Sequence, residues 1–387
     1  IDIENCENDR TKTTSFMTNV YKQKYERVCI ETFAPVTDEF ISNREISILP
    51  FVPHNIDERA TEILKLQAAG LAGRLKKINC ESVVIGISGG LDSTLALIVA
   101  VEAFNINGYD KKGIHAITMP CYGTTDRTLN NARRLMEILE VTSYEINIKD
   151  ACEQHYKDIG YDKSKLDVTF ENVQARERTQ ILMDVSNKIG SLVVGTGDLS
   201  ELALGWCTYN GDQMSMYGVN ASIPKTLVRG ILESYAEHHE GLKDVLLDIC
   251  DTPVSPELLP PNEDGTIKQK TEDKIGSYVV HDFILYYMLR HGFGPKKIFD
   301  LYVNAKIMHE KNIGVKEPVV DKQELLKNMD IFYNRFWTQQ FKRSCMPDGV
   351  KVGSVSLSPR GDWRMASDAC QGIWLDELKD LKEKYCK

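Results

Sequence analysis

The sequence predicts an α/β fold: a doubly wound parallel sheet with helices on both faces, followed by a helical C-terminal extension. Two observations carry this reading. Short strand-like runs recur at 83–87 (VVIGI), 113–119 (GIHAITM), 143–146 (SYEI) and 192–195 (LVVG), and the first is β-branched and bounded by polar residues and glycine, as a buried parallel strand is. Between them stand helical patterns, one running to Phe104, then 128–139 and 170–189. Strands alternating with helices collect their ligands at the strands' carboxyl ends, so the loops after Ile87, Met119 and Val194 should face one crevice.

Taken in order, 1–56 mixes charge, threonine and proline (Pro35, Pro50, Pro53) without sustained periodicity and reads as an extended arm or linker. Its first residue is Ile1 rather than methionine, which reads as a processed chain or a piece of a longer one. Ile63, Leu64, Leu71 and Leu75 give 57–77 a helical spacing, with Asp57 as its cap. After the first strand, Ser88, Gly89 and Gly90 form a backbone free of bulk, and a helix resumes at once. Asp92 or Ser93 can cap that helix, while Leu95, Ala96, Val99 and Ala100 supply its inward face. A strand, a small-residue loop and a helix N-terminus aim unpaired N–H groups and the positive end of a dipole at one point, which makes a phosphate site. Neither GxxxxGK[ST] nor GxGxxG is present at this turn. A lone GG turn would need no ligand, but SGGLDS directly after VVIGI is a more specific signal.

Further on, 120–126 (PCYGTTD) is the loop leaving the second strand, and the 170–189 helix carries Asn172, Arg176 and Arg178. The fourth strand runs into 196–201 (TGDLSE) and a tract rich in glycine and aromatics, 205–218. Pro224 opens another helix in the favoured first position and takes Lys225 with it. Residues 250–272 are proline-rich and polar, a mobile loop. Helices are predicted at 277–290, 295–311, 321–341 and 374–384.

With 387 residues the chain can bury a large core, and its 42% hydrophobic content is that of a soluble globular protein. No apolar run approaches the roughly 18 residues that span a membrane. A net charge of −9 argues against nucleic acid as a partner. The ten cysteines include no CxxC pair, which fits a reduced, cytoplasmic chain, and the eight histidines have no zinc spacing.

The run 88–93 (SGGLDS) resembles the pyrophosphate loop of the ATP pyrophosphatase superfamily, whose members adenylate a carboxylate or carbonyl oxygen and release pyrophosphate. With 172–178 (NVQARER) and 195–212 (GTGDLSELALGWCTYNGD) in this order, the chain resembles the NAD+ synthetases over about 57–343. The wording of 197–218 and the ending 342–365 (KRSCMPDGVKVGSVSLSPRGDWRM) look like the glutamine-dependent form. The resemblance implies an adenine nucleotide alpha hydrolase-like fold. It also implies a nitrilase-like glutaminase domain ahead of the synthetase, whose final residues 1–16 resemble; on that reading 1–56 is an arm, 57–343 the synthetase and 344–387 an extension.

What the resemblance implies chemically is amidation of deamido-NAD to NAD+. The nicotinate carboxylate attacks the α-phosphate of ATP, pyrophosphate leaves, and ammonia displaces AMP. ATP contacts carry over to Gly86, Ile87, Ser88, Gly89, Gly90, Leu91, Asp92 and Ser93, to Thr196 and Ser255, and to Lys225 as a ligand that neutralises the departing pyrophosphate. Asp92 and Glu201 are the magnesium carboxylates, with helix capping and a plain surface acid as their simpler roles. Lys225 at a helix start could instead be a solvated lysine in a place that disfavours cations. Deamido-NAD contacts carry over to Asn172, Arg176, Glu201, Trp206, Cys207, Thr208, Tyr209, Asp212 and Lys342, the last preceded by Phe341 where short forms have histidine. Arg178 serves the same phosphates or a surface ion pair, and Trp206 offers either a stacking face worth about 1–3 kcal/mol or core packing. The family further implies a homodimer or higher homo-oligomer. The rivals are a GMP synthetase-like amidotransferase, a tRNA sulfurtransferase, which the net charge and absent cysteine pair disfavour, and a nucleotide-binding module without catalysis.

Overall fold

The computed structural model describes residues 2–16, 44–255, 258–260, 271–311 and 319–386, with the side chains of 308–311 left aside. Strands β1 (Val83–Gly86), β2 (Ile114–Thr118), β3 (Thr142–Glu145), β4 (Leu192–Gly195) and β5 (Tyr217–Gly218) form one sheet in the order β3-β2-β1-β4-β5. Every pairing is parallel, with Val83 opposite Ile114 on one side and Leu192 on the other. The chain runs outward from β1 through β2 to β3 and returns to β4 on the other side of β1. The loops after β1 and β4 therefore part company at a topological switch point, where such sheets bind ligands.

In chain order the helices around this sheet are α1 (Ile3–Lys12), α2 (Ile56–Lys77), α3 (Leu91–Asn107), α4 (Asp126–Ile138), α5 (Lys149–Asp158), α6 (Val168–Ile189), α7 (Leu199–Leu204), α8 (Lys225–His238) and α9 (Glu240–Cys250). Side chains alternate between the two faces of a strand, and the cores follow that alternation. Val83, Ile85, Ile114, Ala116, Leu192 and Val194 enter a core shared with α2, α3, α4, α8 and α9. Val84 and Ile117 enter the opposite one, with Cys152 and Tyr156 of α5 and Phe170 and Val173 of α6. Burial on both faces is why VVIGI reads as an unbroken apolar run. Helix α3 is itself apolar all round, buried from Leu91 to Phe104 except at Asp92 and Glu102. Its N-terminus is therefore a fixed point beside the sheet.

After α9 come α10 (Thr271–Ile275), α11 (Tyr278–Tyr286), α12 (Pro295–Lys311), α13 (Lys322–Thr338), α14 (Gln340–Ser344) and α15 (Gly372–Tyr385). Phe283, Phe299, Phe332, Phe336 and Leu378 centre a second large core that also takes in Ile46, Ile48 and Leu199, Leu202, Ala203 and Leu204 of α7. Several expectations are corrected. The 277–290 helix ends as a turn of π-helix, Tyr287–His291, stopped by Gly292 at φ 77°. The 321–341 helix breaks at Gln339 into α13 and α14. The caps also move: Asn55 rather than Asp57 precedes α2, and Gly90 rather than Asp92 or Ser93 caps α3. Part of the predicted arm is helical, because α1 is capped by Asp2 and docks on the π-turn through Asn8 Nδ2, which donates to His291 O at 2.9 Å. It buries no residue, so it has no apolar periodicity to read. Helix α9 runs to Cys250 and α10 begins at Thr271, at the two ends of the predicted 250–272 loop, of which 256–257 and 261–270 lie outside the described residues, as do 17–43 of the arm. Among the described residues no helix is long and apolar enough to cross a membrane.

Candidate active site

Gly89 shows why the turn after β1 needs glycine. Its φ is +85°, and a Cβ there would lie 2.1 Å from the carbonyl oxygen of Thr128 at the start of α4. The loop is braced from within: Ser93 Oγ accepts from Ser88 N at 3.3 Å and donates to Gly90 O at 3.2 Å, and Ser88 Oγ accepts from Gly90 N at 3.2 Å. The two hydroxyls expected to face phosphate thus lie 3.1 Å apart and hold the loop's own shape. Asn220 ties this loop to the one after β4, its Nδ2 donating to Asp92 O at 2.9 Å and Thr196 O at 3.1 Å. Gln67 of α2 orients Asn220 by donating to its Oδ1 at 3.0 Å.

Between these loops lies a knot of charge. Lys225, 4% exposed at the first position of α8, points its ammonium at three carboxylates: Asp92 Oδ2 at 2.6 Å, Asp198 Oδ2 at 2.9 Å and Glu201 Oε1 at 3.1 Å. Asp198 and Glu201 belong to a capping box: Glu201 N donates to Asp198 Oδ1 at 2.7 Å, and Asp198 N donates to Glu201 Oε2 at 3.4 Å. The Tyr278 ring of α11 covers the ammonium at 5.4 Å. Burial works against Lys225's charge, but Asp198, Asp92 and Glu201 outweigh it and push its pKa well up. Burial also raises Asp198 far above the carboxylate range, and it carries Glu201 to about 7 against the pull of Lys225. A solvated lysine is ruled out here. One ammonium faces three carboxylates whose oxygens lie within 4.8 Å of one another. Asp92 Oδ1 is buried without a hydrogen-bond partner, and Asp198 Oδ2 meets Lys225 at ion-pair distance but outside hydrogen-bond geometry. The donor set is all oxygen with unspent acceptor capacity, which fits a hard divalent cation at Asp92 and Glu201, with Asp198 beneath them.

On the other side of α7, Asn172 and Arg176, one turn apart on α6, meet the glycine and aromatic tract. Asn172 Oδ1 accepts from Thr208 Oγ1 at 2.8 Å, and Arg176 Nε donates to Tyr209 O at 3.3 Å. Asp212 Oδ1 accepts from Thr208 N at 2.8 Å, and burial raises its pKa. Trp206 is half-buried against the second core, with the Arg335 guanidinium 5.1 Å over its ring. Burial, and then Asp212, push the neighbouring Cys207 thiol up. Lys342 Nζ donates to Gly205 O at 2.8 Å and Cys207 O at 2.7 Å. Arg178 Nε donates to Met119 O at 3.2 Å, at the end of β2. Ser255 is half-buried just after Val254, a residue packed against both large cores.

A family model for NAD synthase matches residues 63–310. The chain belongs to the NAD synthase family. Glutamine-dependent NAD(+) synthetase of Mycobacterium leprae is 40% identical over 408 residues, covering 98% of this chain and 59% of that protein. The enzyme of the same name from Acinetobacter baylyi is 30% identical over 272 residues, covering 67% of this chain and 45% of that protein. This chain thus spans about 59% of the length of its mycobacterial relatives. The solved glutamine-dependent NAD(+) synthetase of Cytophaga hutchinsonii shares the fold, with a TM-score of 0.65 at 19% identity over 84% of this chain and 56% of that one.

Within this NAD synthase chain, Asp198, Asn220 and Gln67 are site residues that sequence reasoning passed over. Asp198 had a signal: DLSE at 198–201 spells a capping box directly after a strand. The other two had none, since their partners lie 128 and 153 positions away along the chain.

Proposed function

We propose that this chain carries out ATP-dependent amidation of deamido-NAD to NAD+ through an adenylated carboxylate, releasing AMP and pyrophosphate. The observation that carries the reading is the Lys225 ammonium held by Asp92, Asp198 and Glu201 between a phosphate loop and the dinucleotide tract. A carboxylate is a poor acyl donor to ammonia, so it is first activated. Its oxygen attacks the α-phosphorus of ATP, and the bond to the bridging oxygen breaks to release pyrophosphate. Ammonia then attacks the carboxyl carbon and AMP departs.

The backbone amides at the start of α3 cradle the β- and γ-phosphates, because a helix's first N–H groups have no intrahelical partner. Lys225 neutralises charge on the leaving pyrophosphate, exchanging carboxylate partners for phosphate oxygens. Mg2+ held by Asp92 and Glu201 supplies charge compensation to the polyphosphate when bound. Asn172, Arg176 and Trp206 to Asp212 receive deamido-NAD. In the full-length protein, glutamine hydrolysis supplies the ammonia, in the cytoplasm, within a homodimer or larger homo-oligomer. The test is NAD+ formation from deamido-NAD, ATP and magnesium, with ammonium compared against glutamine. Turnover with ammonium that Asp92→Ala abolishes supports the reading; ATP binding without turnover under either donor refutes it.

A further inference from the structure

Asp282 is 1% exposed, on α11, and no side-chain cation touches it among the described residues. A carboxylate buried without a cation is costly unless its oxygens are filled by hydrogen bonds, and here they are. Its Oδ2 accepts from Thr226 N at 3.0 Å and from Thr226 Oγ1 at 2.7 Å, and its Oδ1 accepts from Ser200 Oγ. Ser200 Oγ in turn accepts from Lys225 N at 2.8 Å. Each of these partners adjoins, or is, a residue of the charge knot: Ser200 precedes Glu201, and Thr226 follows Lys225. Pro224 is the N-cap of α8 and offers no side-chain acceptor, so the orphan amides of that first turn find theirs in Ser200 and Asp282. The positive end of α8 favours the anion in return. One turn earlier on the same face of α11, Tyr278 covers the Lys225 ammonium.

We propose that Asp282 is a positioning residue that joins the first turns of α7 and α8 from behind and so sets Glu201 and Lys225 at their working separation. An amide cannot replace it. Asn has one acceptor oxygen, so with that oxygen on the Thr226 pair the Ser200 O–H has no acceptor at this position and must turn away, and with it on Ser200 the Thr226 pair has none. Displacements of about 1 Å in a preorganised site cost on the order of 100-fold in rate. The proposal rests on the reaction assigned above.

The test compares Asp282→Asn, Ser200→Ala, their double variant and Thr226→Ser in the same chain, by steady-state kinetics with ammonium and by amide hydrogen exchange. Expected are a 10- to 100-fold fall in kcat for Asp282→Asn with both KM values within about 3-fold, a double variant no worse than the poorer single, and near-native rates for Thr226→Ser. The Lys225 and Thr226 amides should exchange at least 10-fold faster in Asp282→Asn, and the β1 amides at the native rate. Native kcat, or a loss matched by an equal fall in folded fraction, overturns the proposal. If the unaltered chain makes no NAD+, the assigned reaction fails separately. The clamp is then judged on exchange alone: selective acceleration upholds it, and native or uniform exchange overturns it.

Discussion

Replacing Lys225 by Met keeps the aliphatic stem and removes the one ammonium among three carboxylates. Leaving a buried charge uncompensated costs about 3–5 kcal/mol. Unfolding entropy of about 2.1 cal/mol/K per residue over 387 residues makes this roughly a 4–6 °C fall in Tm for cooperative unfolding. The pH dependence identifies the cause. Asp198 and Glu201 already have folded pKa values above their unfolded ones, Glu201 at about 7, and loss of the cation raises both further. Groups raised on folding contribute stability that is fully present below the unfolded pKa and is lost as pH rises through the folded one. The variant's deficit should therefore be small at pH 5.5 and full at pH 8.5, read by calorimetry at both. Millimolar Mg2+ at pH 8.5 should restore part of it, about 2.7 kcal/mol where the ion stands at 100 times its Kd. An equal deficit at both pH values, or none, would refute the electrostatic reading of the cluster.

Gly89→Ala forces a Cβ to within 2.1 Å of Thr128 O in a left-handed conformation, so ATP affinity measured by titration calorimetry should drop at least 10-fold. Trp206→Ala should raise the KM for deamido-NAD about 5- to 150-fold and leave that for ATP unchanged, in line with about 1–3 kcal/mol of stacking. Burial carries Glu201 to about 7, so it is protonated below that pH; magnesium affinity should rise between pH 6 and 8, and Glu201→Gln should flatten that rise.

The sheet was legible because burial on both faces makes β1 and β4 apolar throughout, and the stretches between showed α3, α4 and α6 but not α5, which buries only Cys152 and Tyr156. β5 was not, being two residues long with its role fixed by pairing to β4. Helix α9 escaped notice between a recognised helix and a proline-rich stretch, although Leu242, Val245, Leu246 and Ile249 line its buried face. At the site, SGGLDS marked the turn between β1 and α3 and its glycine requirement. Lys225 was singled out at a helix start, where local rules disfavour a cation, but the groups that offset that cost within the protein were not legible. Three carboxylates from α3 and from the N-terminal turn and cap of α7 reverse that preference, and only the tertiary fold assembles them.

Helix α7 makes the same point about distance along the chain. Six residues are too few for a helix to stand alone, so α7 and its Glu201 depend on what holds the two ends. The N-terminus has the capping box and Lys225. The C-terminus is gripped by cations from α13 and α14: Arg335 Nε donates to Leu204 O at 2.9 Å, Arg343 donates to Ala203 O at 2.7 Å and Leu202 O at 3.2 Å, and Lys342 donates to Gly205 O and Cys207 O. Arg343 is wholly buried, which lowers its pKa to about 10, and carbonyl oxygens together with Gln340 Oε1 accept its hydrogen bonds. Cations at a helix C-terminus are favoured by its dipole and satisfy its orphan carbonyls. Lys342 fixes the backbone on both sides of Trp206. The C-terminal helices thus act on the site through α7, setting Glu201 at one end and the Trp206 segment at the other.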